Sequence, residues 1–501
     1  MEAKDSGEGI VAFKDAAKLR TWDAPPEDVK TEDGLSILDL EKRCVTMERL
    51  RALQPFDEEE IGQLRCRTSS EIKASNWSVG CECLDRDYAE WEAYRELLPM
   101  LGVKRGRLLS GWAKTEQERG VYDFAWLDRP VREMASMGIK PWIALAYGNP
   151  VWGSDFRLGM RVRQITDNPE ALAAWLRYVR AVVARYRDCV DEWEVWNEPY
   201  GQAEEYAVLF YETARTVKAV QPEAKVLCAA CGLTGARAVI ARLRRENALG
   251  LAGTFVYHPY DENPDDTYRD TDRELLDWQT RPQMLRALVK EACADFDIVQ
   301  GECGCPAQLE FAHALPNIEW TEYAQAKWDL RRAIGDAVRG IPSSVFSIID
   351  NQYTFMLQSF GLIRSDTLKE LIYRRPSWFA MRNVYSLFDS DTHPVSFSTE
   401  RVRPSADGAE RELSVARFER NGRPLTLFWL SDERPGSSLA FHHLDLAAHC
   451  PASEPLVWAE LITGRVFRLP AATAVPVWDS PVLVCAESQA IFDQFSPRLC
   501  L

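Results

Sequence analysis

Asp191-Glu192-Trp193-Glu194-Val195-Trp196-Asn197-Glu198-Pro199 is the stretch on which the fold turns. Trp193, Val195 and Trp196 are the aromatic and β-branched types that a buried strand favours. Pro199 biases Glu198 away from the helical region and ends the run. A strand that delivers Asn197 and Glu198 to its C-terminal end suits a barrel enzyme, whose chemistry sits on the βα-loops of that face. Taken alone, an Asn-Glu-Pro triplet is more often a solvated acid before a turn, because short motifs recur by chance. The rest of the chain has to supply the barrel and a partner for the acid.

Working outward, the pattern alternates strand with helix. Strands are expected at 77–81, 103–110, 141–147, 193–198, 225–230, 254–257, 298–300 and 344–349. Helices are expected between them at 89–101, 126–137, 171–186, 206–220, 236–243, 284–293 and 323–338, and a last helix through Leu387 closes the set. Eight such units over about 310 residues are what a (β/α)8 TIM barrel with loop insertions needs. An open doubly wound sheet would favour a glycine-rich phosphate loop after its first strand, and Cys81-Glu82-Cys83-Leu84 is not one.

The expected seventh strand runs into Gln300-Gly301-Glu302-Cys303-Gly304. Strands four and seven lie across a barrel from each other, so Glu198 and Glu302 would face one another over its mouth. Two facing carboxylates are the requirement of glycoside hydrolysis. The alternative is two unrelated loop acids.

Composition bounds the possibilities. The 501 residues, 46% hydrophobic, are ample for two or three domains. A formal net charge of −16 argues against nucleic acid or an anionic membrane as partner, and a neutral ligand fits better. No run approaches the roughly 18 apolar residues of a membrane span. The opening Met1-Glu2-Ala3-Lys4-Asp5-Ser6-Gly7-Glu8 lacks the basic and apolar regions of a signal peptide. With 13 Cys, an odd number in a large chain, this reads as a cytoplasmic protein with reduced thiols.

Residues 1–70 read as an extension packing on the main domain, with a break at Pro25-Pro26 and a short helix opening at Asp57-Glu58-Glu59-Glu60-Ile61, where acids suit a first turn. Residues 71–388 form the barrel. Residues 389–501 turn to short strands at 413–417, 425–430, 455–457, 465–468 and 481–485 with turn signals such as Asn421-Gly422, an all-β accessory domain of sandwich type.

With these motifs in place, the chain resembles the retaining glycoside hydrolases of the large (β/α)8 clan with catalytic acids on strands four and seven. It looks most like family 39, that of β-xylosidase and α-L-iduronidase. The resemblance covers residues 76–388 and rests on Asn197-Glu198-Pro199, Arg107, Tyr122-Asp123-Phe124-Ala125-Trp126-Leu127-Asp128, His258-Pro259-Tyr260 and Gly301-Glu302. It implies Glu198 as acid/base and Glu302 as nucleophile. It also implies Asn197 on the sugar 2-hydroxyl, Tyr260 orienting the nucleophile and Arg107 supporting it. Two departures stand out. Many clan members end strand eight in Trp, where this chain has Ile349-Asp350-Asn351, and Cys303 and Cys305 after the nucleophile are unusual.

Other residues near the expected mouth are weighed two ways. Glu82 is a ligand for a sugar diol or an exposed turn acid. Trp112, Tyr147 and Trp152 stack on a sugar or belong to the core. Asp350 binds a hydroxyl or is structural, and His258 is a site residue or a satisfied loop histidine. Cys81/Cys83, Cys228/Cys231 and Cys303/Cys305 invite a metal reading, but only the middle pair has zinc-like spacing, and buried inert thiols are expected instead. The expectation is therefore a β-glycosidase with a carbohydrate partner, no cofactor and no metal. The competing classes are a catalytically inactive carbohydrate-binding barrel, a metal-dependent barrel hydrolase and a transglycosylase using the same carboxylates. The 6 His, with no His-x-His, speak against the metal hydrolase.

Overall fold

The structure is a computed structural model that describes residues 47–54, 56–155, 161–269, 279–292, 295–354, 356–404, 409–450, 454–470, 474–489 and 491–494. The reading of residues 1–46, with its break at Pro25-Pro26, lies outside the described residues.

Eight parallel strands close into a barrel in chain order. They are β1 (Trp77–Gly80), β2 (Arg105–Leu109), β3 (Lys140–Leu145), β4 (Glu192–Val195), β5 (Lys225–Cys228), β6 (Thr254–Tyr257), β7 (Asp297–Cys303) and β8 (Ser343–Val345). Closure comes from β8 pairing with β1, Ser343 opposite Trp77 and Val345 opposite Val79. Helices α1 (Trp91–Tyr94), α2 (Ala125–Ser136), α3 (Pro169–Tyr186), α4 (Ala203–Val220), α5 (Gly232–Arg245), α6 (Pro282–Ala292), α7 (Glu322–Ala337) and α8 (Pro376–Leu387) follow their strands.

Local chemistry starts and stops these elements. Asn168 caps α3 by accepting from the Glu170 and Ala171 amides, with Pro169 at the first helical position. The buried stripe Ala171, Ala174, Trp175, Tyr178, Val182 then lies on the barrel. The helix expected over 89–101 is instead the single turn of α1 and a 3-10 turn at Pro99–Leu101. Pro99 cannot continue the first helix, and Gly102 at φ +82° turns the chain away.

The C-terminal region is an antiparallel sheet. Its order is Thr392–Val402, Arg411–Arg420, Arg423–Leu430, Val482–Ala486, Leu456–Glu460, Arg465–Leu469, Glu60–Leu64 and Phe492–Gln494. A small second sheet pairs His442–Leu444 with Val475–Val477. Its core includes Leu413, Val415, Phe428, Trp458, Phe467, Trp478 and Val484. This is the all-β accessory domain, with more strands than the five that alternation reveals.

Two expectations change here. Residues 57–61 do not open a helix: Glu60–Leu64 is a strand of the C-terminal sheet. Acids favour a helix start locally, but Glu60 pairs with Arg465 at 2.8 Å and Glu59 with Arg468 at 2.6 Å, so cross-strand partners outweigh that preference. The eighth strand stops at Val345 rather than at Ile349, so the residue at its end is Phe346.

Helix α7 is buried nearly all round, charged residues included, because the C-terminal domain covers its outer face. Lys327, wholly buried, donates to the carbonyls of Gly436 and Ser438 at 3.0 and 2.7 Å and pairs with Asp479 at 2.6 Å. Arg331 donates to the carbonyls of Ser431 and Glu433 at 3.1 and 2.9 Å. These bonds join the barrel to the β-domain.

Candidate active site

The barrel's inner core is small: Trp142, Leu227, Val256 and Val299 pack together with Ala230. Above it lies a buried guanidinium. Arg107 on β2 has no solvent-exposed surface and is bonded to three carboxylates. It grips Glu194 on β4 bidentately at 2.8 and 3.1 Å. Its Nη1 donates to Glu82 Oε1 at 2.8 Å and to Glu302 Oε2 at 3.0 Å. Its Nη2 donates to Asn197 Oδ1 at 2.7 Å. Alternation along β4 explains the set: Glu194 points inward while Trp193 bonds outward to Gln221 of the helix layer at 2.9 Å.

Glu198 and Glu302 are delivered by irregular backbone. Trp196 and Glu198 both sit at positive φ, 74° and 49°, a region that costs a non-glycine residue on the order of 1–3 kcal/mol. Pro199 disfavours the ordinary helical alternative at Glu198. Strand β7 slips against β8 between Gln300 and Cys303, a bulge that re-aims Glu302. Gly301 lies within this slip, and a Cβ there would stand 2.3 Å from Val256 Cγ1.

A carboxyl oxygen of Glu198, one of Glu302 and a ring nitrogen of His258 all lie within 4.8 Å of one another. Both oxygens of Glu302 have donors: Tyr260 Oη reaches Oε1 at 2.7 Å and Arg107 reaches Oε2 at 3.0 Å. Glu198 instead meets His258 Nδ1 at 2.8 Å. Desolvation raises Glu198 to about 7, with Arg107 opposing. About a third of its side chain, 32%, still faces the cleft, so the shift reflects an enclosed mouth. Burial lowers His258 to about 4, so the ring is neutral at pH 7 and puts no positive charge beside Glu198. Burial likewise raises Glu82 to about 8, against the pull of Arg107. Around one guanidinium, therefore, not all the carboxyls ionise together.

The same three groups, Glu198, His258 and Glu302, form the donor set a cation would need. The Arg107 charge at 3.0 Å and the Tyr260 hydroxyl already occupy both Glu302 oxygens, which works against a metal there. Two facing carboxyls with different partners, one of them raised by desolvation, suit proton donation paired with nucleophilic attack.

A cavity of about 970 Å³ opens over the pair. Of the residues expected at the site, Glu82, Tyr147, Asn197, Glu198, His258, Tyr260 and Glu302 line it. Arg107 sits just beneath them. Tyr147 Oη accepts from Asn197 Nδ2 at 2.7 Å. Three expected ligands lie elsewhere. Trp112 is core, packed on Trp175 and Tyr178 with its Nε1 on Glu116 at 2.6 Å. Trp152 shares that Glu116 at 3.0 Å and is flanked by Arg119 and Arg177. Asp350 is sealed against Arg375 at 2.6 and 2.9 Å. In each case a buried polar tip found a protein partner, which removes it from ligand duty.

Sequence reasoning missed Glu194, Arg86, Phe346, Tyr353, Phe360, Asp261, Arg281, Asp432 and Arg434. Alternation in Glu192-Trp193-Glu194-Val195 was a signal for the first. Phe346 was hidden by the overlong eighth strand; it is the aromatic residue at that strand's end and lines the cavity. Asp432 and Arg434 come from the C-terminal domain, and no local pattern points to them.

The cysteines among the described residues are free. Cys228 and Cys231 approach to 3.8 Å between sulfurs, both buried. Among the described residues no helix is long and apolar enough to cross a membrane.

No family model matches the chain. A stretch of 126 residues, 22% of the chain, is 27% identical to β-galactosidase BgaB of Geobacillus sp. (strain Y412MC61), and that match spans only 19% of the galactosidase's length. Among solved structures, a family 39 glycoside hydrolase from the gut symbiont Bacteroides cellulosilyticus WH2 superposes with a TM-score of 0.62 at 17% identity, over 84% of this chain and 82% of that one. A family GH30 endoxylanase from Clostridium papyrosolvens C71 aligns more loosely, with a TM-score of 0.48 at 11% identity, over 85% and 98% of the two chains. At such identities the likeness is one of fold: this chain is a (β/α)8 barrel, similar in fold to the family 39 glycoside hydrolase structure.

Proposed function

We propose that the chain is a retaining glycoside hydrolase that cleaves a β-linked glycoside, β-xylosidase-like in its exo action, through a covalent glycosyl-enzyme. The observation that carries this reading is the closeness of the pair: one oxygen of Glu198 lies within 4.8 Å of one oxygen of Glu302. Retaining pairs stand about 5–5.5 Å apart and inverting pairs about 6.5–9.5 Å. The closer spacing leaves no place for a water between carboxylate and sugar, so the carboxylate attacks.

In the first step a Glu302 oxygen bonds to the anomeric carbon as the bond to the leaving oxygen breaks. Glu198 gives that oxygen its proton. In the second step Glu198 takes a proton from water, whose oxygen displaces Glu302. Two inversions give retention. Arg107 and Tyr260 hold the nucleophile's two oxygens. Asn197 Nδ2 keeps a second hydrogen, beyond the one on Tyr147, for the sugar 2-hydroxyl. Glu82, Tyr147, His258 and Phe346 complete the sugar's enclosure. The reading includes a carbohydrate partner and a cytoplasmic setting.

Proton NMR in the first minutes of turnover should show product with the starting anomeric configuration. Glu302→Ala should lose nearly all turnover, and azide should restore cleavage of an activated aryl glycoside, giving a glycosyl azide of inverted configuration. Initial release of the inverted anomer would reject the mechanism, and a fully active Glu302→Ala would reject the residue.

A further inference from the structure

The C-terminal domain reaches the mouth of the barrel. Asp432 and Arg434, just beyond the strand Arg423–Leu430, line the same cavity as Glu198 and Glu302. Their backbone is held firmly. The Ser431 carbonyl accepts from Arg269 at 2.8 Å, Asn263 at 3.0 Å and Arg331 at 3.1 Å. Lys327 fixes the Gly436 carbonyl at 3.0 Å. Asn263 and Arg269 follow Tyr260 after β6, so residues 260–269 and 431–436 form one hydrogen-bonded wall.

The polar tips on that wall are incompletely paired. Asp432 Oδ2 accepts from Arg411 at 2.7 Å, whereas its Oδ1 is buried with no partner. Arg281, buried in the same lining, gives Nη1 to Asp261 at 2.8 Å, and its Nε is buried with no partner. Arg434 has its nearest carboxylate, Glu262, at 3.8 Å and is 46% exposed. A buried donor or acceptor without a partner is costly, and Arg281, Asp432 and Arg434 all line the cavity that holds Glu198 and Glu302. Ala314, Leu315 and Pro316 add an apolar stretch to the same cavity. Fixed donors and acceptors beside an apolar surface match a sugar ring, with its hydroxyl edge and its C–H faces.

We propose that the wall formed by Arg281, Asp432 and Arg434 is the leaving-group subsite, where it binds the hydroxyls of a second sugar, and that the C-terminal domain thereby selects the leaving group. The inner end of the cavity, at Glu82, Tyr147 and Asn197, encloses the sugar that Glu302 attacks. The remainder of the substrate runs outward past loop residues 261–266 and 431–436. The inference rests on the glycosidase reading above.

A panel of 4-nitrophenyl β-glycosides identifies the glycone the parent enzyme cleaves fastest. For that glycone, kcat/KM is then measured on the glycosyl fluoride, whose leaving group contacts nothing on the wall, and on the β-linked disaccharides. Arg434→Ala and Asp432→Asn should each lower the disaccharide-to-fluoride ratio of kcat/KM by about tenfold, the worth of one good hydrogen bond. Both substitutions are mild: the first is half-exposed, and the second keeps an oxygen for Arg411. A ratio unchanged in both variants overturns the inference while leaving the glycosidase reading intact. A parent that cleaves neither fluoride nor aryl glycoside overturns the reading, and the inference with it.

Discussion

At the scale of single residues, the two facing carboxyls differ in their partners. Glu302 holds Arg107 on one oxygen and Tyr260 on the other. Glu198 has a neutral imidazole beside it, and desolvation in the enclosed cleft raises it to about 7 against the pull of Arg107. Because its pKa is raised, the proton that the first step needs is present below about pH 7 and is lost as pH rises through that value. The kcat/KM profile should therefore have its basic limb near pH 7, and in Glu198→Gln that limb should vanish. The same variant should be crippled on leaving groups of high pKa while keeping much of its first step on activated aryl glycosides. Equal losses across leaving groups of widely different pKa would reject Glu198 as the acid. Glu198 was legible because Asn-Glu-Pro is a local motif at a strand end. Glu194 had only its strand's alternation to mark it and Arg86 had no local signal; the barrel's closure brings them to Arg107 and Tyr147.

At the scale of elements, β7 is the tightest fit. Its bulge and its glycines let Glu302 reach over the inner core. A Cβ on Gly304 would stand 2.0 Å from the Phe346 carbonyl oxygen, and one on Gly301 2.3 Å from Val256. Backbone cannot yield as a side chain can, so Gly304→Ala should be the worse of the two. Each should cost about 1–3 kcal/mol in denaturant titrations. Both should also depress kcat, since the Glu302 carboxylate moves with this backbone. Wild-type stability in Gly304→Ala would show that β8 can shift, and would remove the reason for glycine there. The elements themselves were legible from period and punctuation. Their ends were less so: strand eight read too long, and residues 57–61 read as helix because the acids at Glu59 and Glu60 find their arginines more than 400 residues away.

At the scale of the whole molecule, α7 is the seam between barrel and β-domain. Lys327→Met would take from Asp479 its buried ammonium partner and from the Gly436 and Ser438 carbonyls their donor. Removing one partner of such a pair costs about 3–5 kcal/mol, so the melting midpoint should fall by several degrees. With residues 431–436 loosened, disaccharide cleavage should suffer more than aryl glycoside cleavage. A midpoint unchanged from the parent would mean that the seam holds without the lysine. The thiols make a separate prediction. Titration under denaturing conditions should find the cysteines reduced, and elemental analysis should find no stoichiometric zinc; one zinc per chain, or mostly oxidised thiols, would contradict the reading of inert buried cysteines.

The order of strands and helices, the eightfold count and the two acids 104 positions apart were all present in the sequence, because each depends on neighbours within a few residues: hydrophobic period, a proline, a glycine, a carboxylate at a strand end. What the tertiary structure decided is which polar groups remain free for a ligand. Trp112, Trp152 and Asp350 look like site residues in sequence, but each is satisfied by a buried partner: Glu116 for the two tryptophans, Arg375 for Asp350. Asp432 and Arg434 look like ordinary surface charges of a distant domain, yet they line the cleft. Satisfaction of a buried polar group is a long-range property: it depends on what closure and domain packing bring within about 3 Å, and no local pattern in a chain encodes that.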